Sequence, residues 1–273
     1  MPFQGSAQPT ARWQYFDFAV SDGIGRLTFA RPEVLNALTF EVYADLRDLL
    51  AELAIDDHCR VLVITGQGPG FCSGGDVNEI IGALQQMAPD QLLAFTRMTG
   101  TVVQRMRELP IPIVAAVNGT AAGAGAVIAL ASDLRLLAAS ASFHFLFTRV
   151  GLAGADMGAA YLLPRVVGFG RATELLLLGE HIGAEDASAI GLGRVVPDEE
   201  LAEAAETLAA KLAHGPAWAI GSTKSLLTRE QDLSLGAGIE LEAWAQALLM
   251  TSADHREFHR AFVAKETPRF TGR

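Results

Sequence analysis

The sequence predicts an α/β fold with right-handed crossovers, and three features carry that expectation. Two short, almost wholly apolar runs, residues 60–65 (RVLVIT) and 113–117 (IVAAV), each lead into a glycine-rich turn, as strands buried on both faces do. Helical patterns separate these strand-and-turn units. Beyond about Glu199 the strand pattern stops, and only helical stretches follow.

Residues 15–20 and 24–30 alternate apolar and polar around Ser21-Asp22-Gly23, the signature of a β-hairpin. Thr39 then stands as an N-cap ahead of Val42, Leu46, Leu49, Leu50 and Leu53, spaced as one helical face, with Glu41, Asp45 and Asp48 among the polar positions. The strand over 60–65 opens into the loop 66–75. A helix over 89–109, broken by Pro110 and Pro112, leads to the strand over 113–117 and the turn 118–125. A helix over 126–131 and a strand over 133–138 follow. The last third divides at His214-Gly215-Pro216, and residues 236–265 read as one or two amphipathic helices. The expected organisation is an N-terminal extension (1–14), a core (15–198) and a helical region (199–273). That last region is too poor in core of its own to stand alone, so it packs on the main body or on another subunit.

Half of the 273 residues are apolar, enough to bury a sizeable core and to exclude a disordered chain. The apolar stretch 114–130 is rich in Gly and Ala and interrupted by Asn118, which argues against a membrane span. Residues 1–10 lack a basic flank and a hydrophobic run, so a cytoplasmic location is expected. Two cysteines, Cys59 and Cys72, without CxxC spacing indicate neither a disulfide framework nor a zinc site, and no metal is expected. A net charge of −10 without a basic, aromatic-rich cluster excludes nucleic acid as a natural partner.

The glycine turns carry a resemblance. Arg31-Pro32 with Asn36-Ala37-Leu38, Phe71-Cys72-Ser73-Gly74-Gly75-Asp76-Val77, Asn118-Gly119 through Gly123-Ala124-Gly125, and Ser132-Asp133-Leu134-Arg135 occur in the order and spacing of the crotonase (enoyl-CoA hydratase/isomerase) superfamily. Val150-Gly151-Leu152-Ala153, Pro164-Arg165 and Ala261-Phe262-Val263-Ala264-Lys265 extend the similarity over nearly the whole chain from Tyr15. The resemblance implies a spiral of strand-turn-helix units with a C-terminal helical region, assembled as a trimer or dimer of trimers. It also implies an acyl-CoA substrate, with CoA part of the substrate and no separate cofactor. The backbone N–H groups of Ser73 and Ala124 would form an oxyanion hole that stabilises an enolate. CoA would run along Ser73, Gly74, Gly75 and Asp76 and past Ala37 and Leu38, with Phe262 and Lys265 at the nucleotide end. Lys265 would then supply the local cation that an acidic protein needs to bind an anion. The alternative for Lys265 is an ordinary solvated lysine.

The sequence departs from the family's hydratases where they place two glutamates: the matching positions are Val127 and Phe147, which would line the acyl site without moving protons. Asp156, aligned backwards from Pro164-Arg165 with one extra residue, matches an aspartate of dienoyl-CoA isomerases and 4-chlorobenzoyl-CoA dehalogenase. It could move protons, or simply cap a helix starting at Met157. In the run Phe143-His144-Phe145-Leu146-Phe147, alternation sets His144 opposite the three phenylalanines and favours a structural histidine. Cys72, with no evident base beside it, reads as packing. The expected activity is isomerisation or hydration of an unsaturated acyl-CoA with Asp156 in place of the usual glutamates. Two alternatives remain: another crotonase chemistry, dehalogenation or C–C cleavage of a bulky or aromatic acyl-CoA, and a non-catalytic acyl-CoA-binding protein.

Overall fold

A computed structural model describes residues 13–272, so the expected extension 1–14 lies almost wholly outside the described residues. The chain opens with a hairpin of β1 (Phe16–Ser21) and β2 (Ile24–Phe29), joined by Asp22 (φ 53°) and Gly23 (φ 78°). Two successive residues at positive φ match the twist of the flanking strands, which is why Asp-Gly suits this turn. β2 pairs in parallel with β3 (Val61–Gly66), β3 with β5 (Ile113–Val117), β5 with β7 (Leu134–Ala138), and β7 with β10 (Arg194–Val196). The sheet order is β1-β2-β3-β5-β7-β10. β5 is buried throughout, as its unbroken apolar run requires.

A smaller sheet escapes the sequence patterns: β4 (Gly70–Cys72), β6 (Thr120–Ala122), β8 (Ser142–His144) and β9 (His181–Gly183), in that order. Each of these strands is three residues long, too short to display a period. Together they support both glycine turns, since β4 precedes the first and β6 the second.

The first long helix buries the residues that the sequence marks as its apolar face. α1 (Phe40–Leu53) starts where Thr39 accepts a hydrogen bond from the Val42 N–H (3.3 Å). After a π-helical turn (Val77–Ile81) and the single-turn α2 (Gly82–Leu84), α3 (Pro89–Glu108) packs against α1. α4 (Ala124–Ala131) is buried on every side and begins two residues earlier than the sequence indicates. α5 (Ala159–Val167), α6 (Phe169–Leu178) and α7 (Ala184–Ala189) follow. α8 (Leu201–Ala213) lays Leu201, Ala205, Ala209 and Ala213, one residue per turn, against the large sheet.

α9 (Ala217–Arg229) is fastened by Lys224, whose buried ammonium donates to the carbonyls of Met106 (2.8 Å) and Ile111 (2.9 Å) and pairs with Asp133 (2.9 Å). α10 (Leu235–Leu249) and α11 (Ala253–Ala264) complete the chain. The segment after α11 folds back: Asp254, itself buried, accepts from the Thr271 and Gly272 N–H groups (2.7 and 2.9 Å), and Arg60 donates to the Thr271 carbonyl (2.6 Å). No helix among the described residues is long and apolar enough to cross a membrane.

Candidate active site

Two asparagines set the start of the first turn. Asn36, at φ 59°, and Asn118 both donate to the Gly70 carbonyl (2.8 and 3.1 Å), so the loop after β2 and the loop after β5 converge on β4. Beyond β4 the chain zips to residues 35–38. The Ser73 N–H donates to the Leu35 carbonyl (2.9 Å), the Leu38 N–H to the Gly74 carbonyl (2.7 Å), and the Asp76 N–H to the Leu38 carbonyl (2.8 Å). Leu38 and Gly75 therefore pair as in a parallel sheet. In such a pair the residue opposite turns its own N–H to the far side, and no described residue accepts from the Gly75 N–H.

This corrects the expectation for Ser73. Its N–H is already engaged by Leu35, and its hydroxyl donates to the Val34 carbonyl (3.1 Å), so Ser73 holds the loop. The donor left outward-facing in this turn belongs to Gly75, two residues further on. The Asp76 carboxylate is likewise engaged within the loop: it accepts from the Asn78 and Glu79 N–H groups (2.9 and 3.1 Å) and pairs with Arg31 (3.0 Å). Burial pushes its pKa up, but the two amides and Arg31 outweigh that and leave it below the ordinary carboxylate value. Arg31 also donates to the Ala37 carbonyl (2.7 Å). The Leu38 side chain is in the core, and only its backbone meets the turn.

The second turn brings up Ala124. The Gly123 N–H donates to the His144 carbonyl (2.9 Å), Gly123 takes φ 50°, and Ala124 opens α4. As the first residue of the helix, Ala124 has an N–H with no carbonyl one turn behind it inside α4, and it lies at the positive end of the helix dipole. The turns touch through glycine. A Cβ on Gly74 would lie 2.9 Å from the Ala122 carbonyl oxygen and 3.4 Å from the Ala124 nitrogen, and a Cβ on Gly125 would collide with the Cys72 carbonyl. Only glycine at both places lets the two backbones come this close.

Around this pair of turns the surroundings are mostly apolar. The Phe147 ring, in a 3₁₀ turn (Leu146–Val150), comes within 4.0 Å of the Cβ position of Gly123. Val127 is fully buried one turn into α4. Cys72 is fully buried, and burial pushes its thiol up to about 12, which suits packing and not nucleophilic attack.

Phe143 and Phe145 are buried and stack (6.5 Å between centroids), while His144 stacks on His181 (5.4 Å) and lies 3.2 Å from the Ser142 hydroxyl, as the alternation predicts. The alternation extends that strand to Phe147; the strand in fact ends at His144, and Phe147 reaches the Gly123 turn from the 3₁₀ segment instead. Burial, then His181 and Arg149, lower the His144 pKa.

Asp156 is half-buried in the loop before α5. Its carboxylate accepts from the adjacent Met157 N–H (2.9 Å), and burial raises its pKa while that amide pulls the other way. The expected cap of a helix at Met157 is not formed. Met157 (φ 48°) and Gly158 (φ 87°) are both left-handed, and α5 begins only at Ala159. The loop is held instead by the Leu152 N–H donating to Phe147 (2.9 Å) and by a close approach of Gly154 to Leu176. The charge of Asp156 reaches Tyr43 of α1, a residue that the apolar spacing of that helix does not single out. Phe262 (72% exposed) lies on the open face of α11, and the exposed Lys265 is the left-handed residue that ends that helix.

Comparison with known proteins identifies the family and the fold. Residues 19–273 match the enoyl-CoA hydratase/isomerase family model, and the chain belongs to that family. It is 41% identical over 255 residues to the 1,2-epoxyphenylacetyl-CoA isomerase of Escherichia coli (strain K12), covering 93% of this chain and 97% of that protein. A crystal structure from Streptomyces coelicolor A3(2) superimposes with a TM-score of 0.95 at 56% identity over 100% of both chains. The enoyl-CoA hydratase of Bacillus anthracis does so with a TM-score of 0.89 at 30% identity, over 95% of this chain and 100% of that one. The protein is an enzyme of the enoyl-CoA hydratase/isomerase family, with the α/β architecture of its structural neighbours.

Proposed function

We propose that the chain binds an unsaturated acyl-CoA with its thioester carbonyl oxygen between the N–H groups of Gly75 and Ala124, and that Asp156 transfers the proton in a double-bond isomerisation or hydration. The observation that carries this reading is the division of labour in the first turn. Ser73 is tied to Leu35, while Gly75 leaves an N–H without an acceptor among the described residues, on a loop whose Gly74 touches the start of α4. Fixed donors aimed at an oxygen that becomes an enolate act most strongly where charge develops, typically by a few kcal/mol per donor. With Val127 and Phe147 apolar, Asp156 is the carboxylate that the surrounding loops offer, and burial brings its pKa toward the range where it can both take and return a proton.

CoA enters as part of the substrate, and the reading calls for no metal or separate cofactor. Lys265 and Phe262 would meet its nucleotide end. The exposed apolar faces of α10 and α11 would be covered in a homotrimer or a dimer of trimers in the cytoplasm. Calorimetry with acetyl-CoA, CoA and matching free acids tests the binding: the CoA compounds bind, the free acids do not, and EDTA leaves turnover of an enoyl-CoA panel unchanged. Equal affinity for a free acid would count against the reading.

A further inference from the structure

The Tyr43 hydroxyl is a polar group on a buried side chain that the proposed chemistry leaves without a task. Tyr43 is 3% exposed, and its ring is held edge-on against Phe95 of α3 (5.7 Å between centroids, 85° between planes). Its oxygen lies 3.8 Å from the point where a Cβ on Gly75 would be, and Ile80 borders the same point at 3.7 Å. The hydroxyl therefore stands beside the very residue whose N–H faces away from Leu38. No described residue hydrogen-bonds it, and the sealed side-chain atoms without a partner among the described residues are Trp13 Nε1 and Glu230 Oε1, so the Tyr43 oxygen keeps some access to solvent. Burial first, then the charges of Cys72 and Asp156, raise its pKa well above that of a free phenol, which places Asp156 within electrostatic reach and keeps the proton on the oxygen. A hydroxyl that the protein itself leaves unpaired is satisfied by water or by a ligand, and here the side next to Gly75 is where one can arrive.

Resting on the acyl-CoA reading above, we infer that Tyr43 is a specificity-determining residue that donates a hydrogen bond to an oxygen on one of the first two carbons beyond the thioester carbonyl. The preferred substrates are then oxygenated acyl-CoA thioesters, bearing a hydroxyl, ether, epoxide or keto oxygen. The argument is one of reach and satisfaction. A carbonyl oxygen seated on the Gly75 N–H brings the next carbons of the acyl chain past the absent side chain of Gly75, toward the phenol. A site that holds an unpaired donor discriminates against an analogue that cannot accept from it.

Calorimetry of the intact protein with butyryl-CoA, 2-hydroxybutyryl-CoA and 3-oxobutyryl-CoA tests this, since binding is read without turnover. Wild type binds at least one oxygenated thioester more tightly than butyryl-CoA, and Tyr43→Phe abolishes that preference, a change of roughly tenfold for one lost hydrogen bond in a buried site. Butyryl-CoA binding stays the same. Equal affinity of wild type for all three, or a Tyr43→Phe variant that weakens all three alike or keeps the preference, overturns the assignment while leaving the acyl-CoA reading in place. Failure of wild type to bind any of the three thioesters overturns both. The wild-type comparison decides the matter even if the variant folds poorly.

Discussion

Asp156 shows how one residue's surroundings bear on both stability and turnover. Its folded-state pKa is raised by burial, so its ionised form is less favourable in the folded chain than in the unfolded one. The sign follows: any stability from this group is present below the unfolded carboxylate pKa and is lost as pH rises through the raised folded value. At neutral pH the charge opposes folding. Asp156→Asn keeps an oxygen to accept from Met157 and removes the charge, so the melting temperature should stay level or rise. Turnover of the best enoyl-CoA should fall at least about a hundredfold, the low end of general acid–base contributions. In wild type the acid limb of the pH–rate profile should lie above the ordinary carboxylate pKa, and the variant should lack that limb. An unchanged rate in Asp156→Asn would remove the residue from the chemistry.

At the scale of the element, the contact between β4 and α4 is set by absent side chains. Gly125→Ala would drive a methyl group into the Cys72 carbonyl, and neither backbone can yield without shifting one turn against the other. A destabilisation of about 1–3 kcal/mol is expected, as for other overpacked sites, together with a large loss of kcat. Gly82→Ala is the control: its added Cβ meets nothing within 4 Å, and Ala favours a helix over Gly by about 1 kcal/mol. Thermal unfolding and enoyl-CoA turnover of the two variants should diverge; matching behaviour would show that the contact between the turns is unimportant.

The same elements show what a sequence can and cannot disclose. Thr39 and the leucines of α1, the Asp-Gly turn and the apolar runs of β3 and β5 declare themselves through local preference and period. The donor in the first turn does not. Whether Ser73 or Gly75 has the outward-facing N–H depends on which carbonyl of residues 35–38 comes alongside, a pairing across nearly forty positions with no local mark. The left-handed Met157 is hidden for a related reason. Asp ahead of a small-residue run looks like a cap, and only tertiary contacts at Gly154 and Leu152 reveal that the helix starts later. Tyr43 is hidden too, because the spacing of α1 marks Val42 and the leucines, and its nearness to Gly75 appears only in the folded chain.

At the scale of the whole molecule, the last two helices expose apolar side chains that a compact body would ordinarily cover. Leu235, Trp244 and Leu248 on α10 and Phe258, Phe262 and Val263 on α11 are each more than half exposed. Surfaces of this kind in soluble chains normally meet a partner, and a repeated chain with one such face closes most simply into a symmetric ring. Light scattering should give the mass of a trimer or hexamer of the 29.0 kDa chain. Trp244→Glu, which sets a charge on that face, should shift the population toward smaller species. A wild-type monomer at micromolar concentration would refute the assembly.

The clasp at Asp254 has a consequence in time as well as in space. Because Asp254 holds Thr271 and Gly272 while Arg60 reaches Thr271 from the large sheet, α11 cannot swing outward unless the tail lets go first. The two events are coupled, so α11 should open as a unit with the tail, at a free energy below that of global unfolding. Amide exchange in Asp254→Ala should quicken along α11 while β3 and β5 keep their wild-type protection. On that outcome the clasp would act as a latch that sets how often the helix bearing Phe262 leaves the body and returns.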